Sequence, residues 1–177
     1  MCCCKWSGPV RARHYSKKSD GGIMADIHYD ELFELLAAFY ENMMPFNKLI
    51  GIKMETLTLD TAVVKIAMKD ELVGNSHKHI LHGGVIAAAL DFTGGVIAQL
   101  SVIKKMKHAT PEELTKRLTR MGTIDMRVDY IRPGKGEYFT VTGELLRLGN
   151  KVAVVRSVFH NDDDTLIAAG TGTYLVG

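Results

Sequence analysis

Residues 82–100 read HGGVIAAALDFTGGVIAQL. Apolar residues recur there at helical spacing, yet the stretch holds four glycines, and Asp91 is the only charged residue between His82 and Lys104. On a helical wheel one face carries Val85, Ile86, Leu90, Phe92, Val96, Ile97 and Leu100. The other carries Gly84, Ala87, Ala88, Asp91, Gly94, Gly95 and Ala98. A glycine inside a helix costs about 1 kcal/mol relative to alanine, so this small face needs a reason. Close approach of a neighbouring backbone is the expected one. A lone acid in apolar surroundings is unfavourable unless it is paired or working. Two readings of Asp91 stand side by side: a structural carboxylate bonded to nearby backbone, or a general base or nucleophile tuned by its apolar site.

His82-Gly83-Gly84 opens the helix, where free N–H groups and the dipole favour a developing negative charge. That makes a candidate oxyanion site. Gly83 and Asp91 are eight residues apart, about 12 Å along one helix axis. They meet at one reacting carbon only if a second copy brings its Asp91 to this Gly83. A dimer with shared sites is therefore expected.

Outward from this helix, Tyr29, Leu32, Phe33, Leu36, Phe39, Tyr40 and Met43 keep helical spacing over residues 29–44, and Pro45 is expected to stop that helix. IGIKMETLTLDTAVVKIAM (50–68) predicts two strands joined near Asp60. Thr110-Pro111-Glu112-Glu113 is a helix start, with Lys116, Arg117 and Arg120 suited to its far end and Gly122 expected to end it. TIDMRVDYI (123–131) alternates Ile124, Met126, Val128 and Tyr130 against charged residues. A hairpin is expected at Gly149-Asn150, and a solvated turn at Asp162-Asp163-Asp164. Consecutive hairpins and one long apolar helix predict an α+β domain, an antiparallel sheet with the helix against one face.

At 177 residues one domain is expected over 29–177, preceded by a basic, disordered leader or upstream start over 1–28. The net charge of +2 reflects residues 1–23, which carry five Lys/Arg and one Asp; the remainder is −2. No nucleic-acid partner is expected of a near-neutral domain. The cysteines are Cys2, Cys3 and Cys4, so no disulfide framework is expected and the cytoplasm suits the chain. No apolar run precedes those cysteines, so neither a secretory signal nor a lipoprotein leader is expected, and palmitoylation is the weaker reading. Residues 83–103 are long enough to cross a bilayer, but a midplane Asp91 argues against stable membrane insertion.

The pattern N-x(6)-HGG-x(6)-D, from Asn75 to Asp91, is followed by RMGTIDMRVDYIRPGKGE (120–137), GNKVAVVR (149–156) and GTYLVG (172–177). These motifs resemble the PaaI-like hotdog-fold thioesterases over roughly residues 30–177, and within them the proteobacterial medium- and long-chain acyl-CoA thioesterases. The resemblance implies an antiparallel sheet wrapped around a long central helix, a homodimer or homotetramer, and hydrolysis of acyl-CoA without metal or cofactor. It implies that Asp91 activates water or attacks directly, that the Gly83 N–H holds the thioester oxygen with His82 and Gly84 beside it, and that Asn75 polarises the carbonyl. Thr123 matches a position where the family places Ser or Thr near the water. Arg132, Lys135, Arg147 and Lys151 follow strand ends or turns and are candidates for the CoA phosphates by charge.

Three rival readings stand beside this one. His77, His79 and His82 form H-x-H-x-x-H, a spacing used at some hydrolase metal sites, but Leu81 stands where an Asp is needed and further ligands are hard to find. Hotdog dehydratases use a catalytic His with a distant acid; the acid inside the HGG helix favours hydrolysis. An acyl-CoA-binding regulator on the same fold is the alternative from another class.

Overall fold

The computed structural model describes residues 29–177. The leader reading, with its three cysteines, lies outside them. The order is α1 (Tyr29–Asn42), α2 (Pro45–Ile50), β1 (Ile52–Leu57), β2 (Ala62–Ala67), a 3-10 turn at Asp70–Leu72, β3 (Val73–Asn75), β4 (Ile80–Leu81), α3 (Gly83–Lys105), α4 (Pro111–Leu118), β5 (Gly122–Tyr130), β6 (Tyr138–Leu148), β7 (Val152–Asn161) and β8 (Leu166–Leu175). Six strands form one antiparallel sheet in the order β1-β2-β6-β7-β8-β5. The sheet curls around α3, which packs against β2, β5, β6, β7 and β8. The α+β expectation holds.

Helix α3 starts where His82, in extended backbone, caps it, its ring accepting the Gly84 N–H. Lys104 and Lys105 close the last turn, where cations suit the dipole. Leu90 and Leu100 are fully buried beside Phe139, Val141 and Val155. Each contributes about 1.5–3 kcal/mol by leaving water. Composition and length would let α3 cross a membrane; here it is the axis of the sheet.

The small face is not a single outward stripe. Gly94 and Ala98 are buried within the chain, whereas Ala87, Ala88, Asp91 and Gly95 are half-buried. The neighbour at Gly94 is a side chain rather than a backbone. A Cβ there would lie 2.1 Å from the Tyr174 hydroxyl, and one at Gly172 would lie 2.5 Å from the same atom. The two glycines make the slot that holds the Tyr174 ring.

Four local expectations need correction. Pro45 ends nothing by itself: it is the first residue of α2, where its missing N–H costs no bond. Gly51, at φ 77°, terminates α2 in the left-handed conformation that glycine adopts without penalty. Helix α4 has the full capping box of Thr110 and Glu113, but it ends at Leu118, and Gly122 instead begins β5. Along β5 the alternation gives no clean inner face. Ile124 and Tyr130 are each 56% exposed, because β5 is an edge strand with a bulge between Thr123 and Asp125. The turn at 162–164 is only partly solvated, since Asp162 Oδ2 accepts the Glu137 N–H at 3.2 Å. The hairpin at Gly149 closes through Gly149 N–H to the Val152 carbonyl.

Candidate active site

Strand β5 pairs with β8 so that Thr123 stands opposite Tyr174. Residues directly opposite in an antiparallel pair project to the same face, and here both meet the middle of α3. Thr123 Oγ1 donates to Asp91 Oδ1 at 2.8 Å. The Tyr174 phenol donates to the Asp91 main-chain carbonyl at 3.1 Å. Burial pushes the Tyr174 phenol above its ordinary value of 10.0, and the charge of Asp91 and a hydrogen bond to it push it further. Tyr174 is therefore a fixed, protonated donor beside the carboxylate. Asp91 is half-buried and opens onto a groove of about 360 Å³, whose walls include Phe39, Phe46 and Gln99.

The other proposed elements gather at the start of α3. His82 Nδ1 accepts the Gly84 N–H at 2.9 Å, so that donor is occupied. The Gly83 N–H, first in the helix, has no carbonyl one turn behind it to bond. Tyr130 lies over Gly83, its hydroxyl donating to the Gly83 carbonyl at 2.9 Å. Asn75 is exposed on β3, and its Oδ1 accepts the Lys78 N–H at 3.1 Å, leaving the amide hydrogens as its outward chemistry. Thr123 thus meets Asp91 and His82 meets Gly84, while Gly83 and Asp91 stay two turns apart on one helix.

The four cations do not form one site within the chain. Arg132 donates to the Leu166 carbonyl at 3.0 Å, and Lys135 follows Gly134, whose carbonyl accepts the Leu81 N–H near the start of α3. Arg147 and Lys151 flank the β6–β7 hairpin, where Lys105 at the end of α3 donates to Asn150 Oδ1 at 3.1 Å. A 23-residue helix separates the two pairs, about 35 Å. His77 and His79 are exposed, and no three His, Cys, Asp or Glu among the described residues are placed to hold a metal. A larger groove of about 470 Å³, between Ser101, Lys104 and Leu145, is lined by none of the candidate catalytic or substrate-binding residues.

Sequence reasoning missed Tyr174 and Tyr130. Tyr174 sits in an ordinary strand alternation, and its only signal is indirect: the two glycines, Gly94 and Gly172, that clear its place.

The model of the thioesterase superfamily matches residues 78–168, which include both Asp91 and Thr123. The chain belongs to the thioesterase superfamily. Among thioesterase relatives, the medium/long-chain acyl-CoA thioesterase YigI of Escherichia coli K12 is 44% identical over 148 residues, 84% of this chain and 96% of that one. A crystal structure of a thioesterase-superfamily protein from Shewanella oneidensis is 45% identical, with a TM-score of 0.82, covering 86% of this chain and all of that one. The structure of the E. coli PaaI protein, 18% identical at a TM-score of 0.64 over 84% of this chain and 95% of that one, shares the fold.

Proposed function

We propose that this thioesterase hydrolyses medium- to long-chain acyl-CoA to free fatty acid and CoA, with Asp91 as the general base. The Thr123–Asp91 hydrogen bond carries the reading, because it fixes one oxygen of a carboxylate that lines the groove. YigI, whose name states that activity, supports the substrate class.

Asp91 takes a proton from water as the water oxygen attacks the thioester carbonyl carbon. The carbonyl oxygen becomes an oxyanion held by a Gly83 N–H at a helix start, with Asn75 as a further donor. Collapse re-forms the carbonyl and breaks the carbon–sulfur bond; the CoA thiolate leaves and takes the proton from Asp91. His82 holds the Gly84 N–H and so shapes the turn that presents Gly83. Arg132 and Lys135, at the same helix end, are the better-placed pair for phosphates.

The distance of about 12 Å between Gly83 and Asp91 on one helix calls for a homodimer, or a homotetramer built as a dimer of dimers, in which one subunit's Asp91 meets the other's Gly83. β5 supports this: it is an edge strand with Ile124 and Tyr130 exposed and Ile131 exposed just beyond its end, the kind of surface that another strand covers. The protein works in the cytoplasm without membrane insertion, nucleic acid, metal or cofactor. The test is a hydrolysis panel from acetyl- to palmitoyl-CoA, read as free thiol. Turnover abolished by EDTA and restored by zinc would overturn the mechanism, and acyl-CoA binding without turnover at any chain length would make the protein a regulator.

A further inference from the structure

Three of the four glycines in α3 have a neighbour closer than an ordinary van der Waals contact to where a side chain would start. A Cβ would lie 3.3 Å from the Tyr130 ring at Gly83, 2.9 Å from His82 Nδ1 at Gly84, and 2.1 Å from the Tyr174 hydroxyl at Gly94. Gly95 is different. The nearest atom to its Cβ would be Tyr174 Cε1 at 3.8 Å, an ordinary van der Waals contact. The fold therefore has room for a side chain at 95, and the glycine forgoes helix stability with no packing reason inside the chain.

Its position supplies one. Asp91, Gly95 and Gln99 are spaced by four and so lie in a row along one face of α3. All three line the 360 Å³ groove, with Phe39, Met44 and Phe46 of α1, α2 and their connection forming a wall. At the far end Tyr40, buried and edge-on to Phe92, donates its hydroxyl to Gln99 Oε1. The groove thus has carboxylate chemistry at one end, aromatic and thioether surface along its side, and a hydrogen-bonded polar pair at the other.

We infer that Gly95 determines chain length: its missing side chain keeps the floor of this groove open, so that the acyl chain lies along α3 from Asp91 toward the Tyr40–Gln99 pair. The inference rests on the thioesterase reading above. Eight residues of helix span about 12 Å. A carbon–carbon bond of about 1.5 Å in an extended zigzag advances about 1.3 Å per carbon. About nine carbons separate the reacting carbonyl from the Tyr40–Gln99 pair, and Gly95 lies about halfway along. A butanoyl group ends before Gly95; a dodecanoyl group must pass it.

The experiment compares kcat/KM for butanoyl-CoA and dodecanoyl-CoA in wild type, Gly95→Ala and Gly95→Leu, with oligomeric state checked by light scattering. The dodecanoyl-to-butanoyl ratio is expected to fall at least about 100-fold in Gly95→Leu and about 10-fold in Gly95→Ala, since pockets discriminate on this scale per blocked group. If Gly95→Leu does not fold, the alanine variant decides. An unchanged ratio in a folded variant overturns the inference and leaves the thioesterase reading standing. Equal loss at both lengths with a changed oligomeric state also overturns it, since Gly95 would then be making room for a second subunit. A wild type inactive on every acyl-CoA overturns the thioesterase reading, and this inference with it.

Discussion

Thr123 and Asp91, 32 residues apart in the chain, are joined by a 2.8 Å hydrogen bond in which the hydroxyl donates to the carboxylate. The bond reaches from an edge strand to the central helix. Asp91→Asn keeps an acceptor for Thr123 while removing the base. The variant is expected to fold as wild type by circular dichroism and to lose at least about 100-fold in kcat, the scale of general-base catalysis. Near-normal turnover in the folded variant would return Asp91 to its structural reading.

Thr123 acts through Asp91, so its loss should be graded. Thr123→Ala is expected to lower kcat about 10- to 100-fold, the scale of the ~1.5–3 kcal/mol associated with a hydrogen bond to a charged group. KM should change little, and Thr123→Ser should restore most of the rate. A serine variant as impaired as alanine would mean that the methyl group, not the hydroxyl, is what matters.

Gly94→Ala should destabilise the protein despite alanine's better helix propensity, because the new Cβ meets the buried Tyr174 ring. A loss of about 1–3 kcal/mol is expected from overpacking, read by urea denaturation. Tyr174→Phe removes the nearest atom, so the double variant should lose less than the sum of the singles. Strict additivity would show that the slot is not the cause.

Burial raises the phenols of both Tyr40 and Tyr174 above 10.0, with Asp91 adding to the effect at Tyr174. Their folded values exceed their unfolded ones, so the unfolded chain gives up its protons first as pH rises. The stability they contribute is fully present below about pH 10 and is lost above it. The thermal midpoint of wild type should therefore fall more steeply between about pH 10 and 11.5 than that of Tyr174→Phe. Parallel curves would rule this out.

Shared sites predict rescue. Asp91→Asn and Gly83→Pro, each inactive alone, should regain about a quarter of wild-type activity after subunit exchange, because about half the two-fold dimers are mixed and each mixed dimer has one intact site. Gly83→Ala is the control. It adds the same Cβ, 3.3 Å from Tyr130, but keeps the N–H, and should stay active. Activity that remains at the parental level after verified exchange would mean each site is built within one chain.

Much of this was legible in the residues themselves. The helix start at His82, the capping box at Thr110 and the Gly149 hairpin each depend on chemistry within a few positions. What escaped depends on long-range pairing. Tyr174 gains its place only because β8 runs beside β5, and no local pattern orders those strands. Two-residue β4 and three-residue β3 are too short to show a period, and α2 is one turn and a half opened by a residue that otherwise reads as a stop. That Arg147 and Lys151 lie at the opposite end of the central helix from Arg132 and Lys135 was hidden for the same reason, since turns look alike whichever end of the sheet they occupy.

Pairing of the first of the last four strands with the last of them has a consequence for synthesis. While a ribosome is still making residues 166–175, β5 has no strand to lie against, and Thr123 has nothing to hold it over Asp91. Contacts so distant in sequence form late. A nascent chain can have its helix, its hairpin and most of its sheet, and still release no fatty acid until its final strand has emerged and docked.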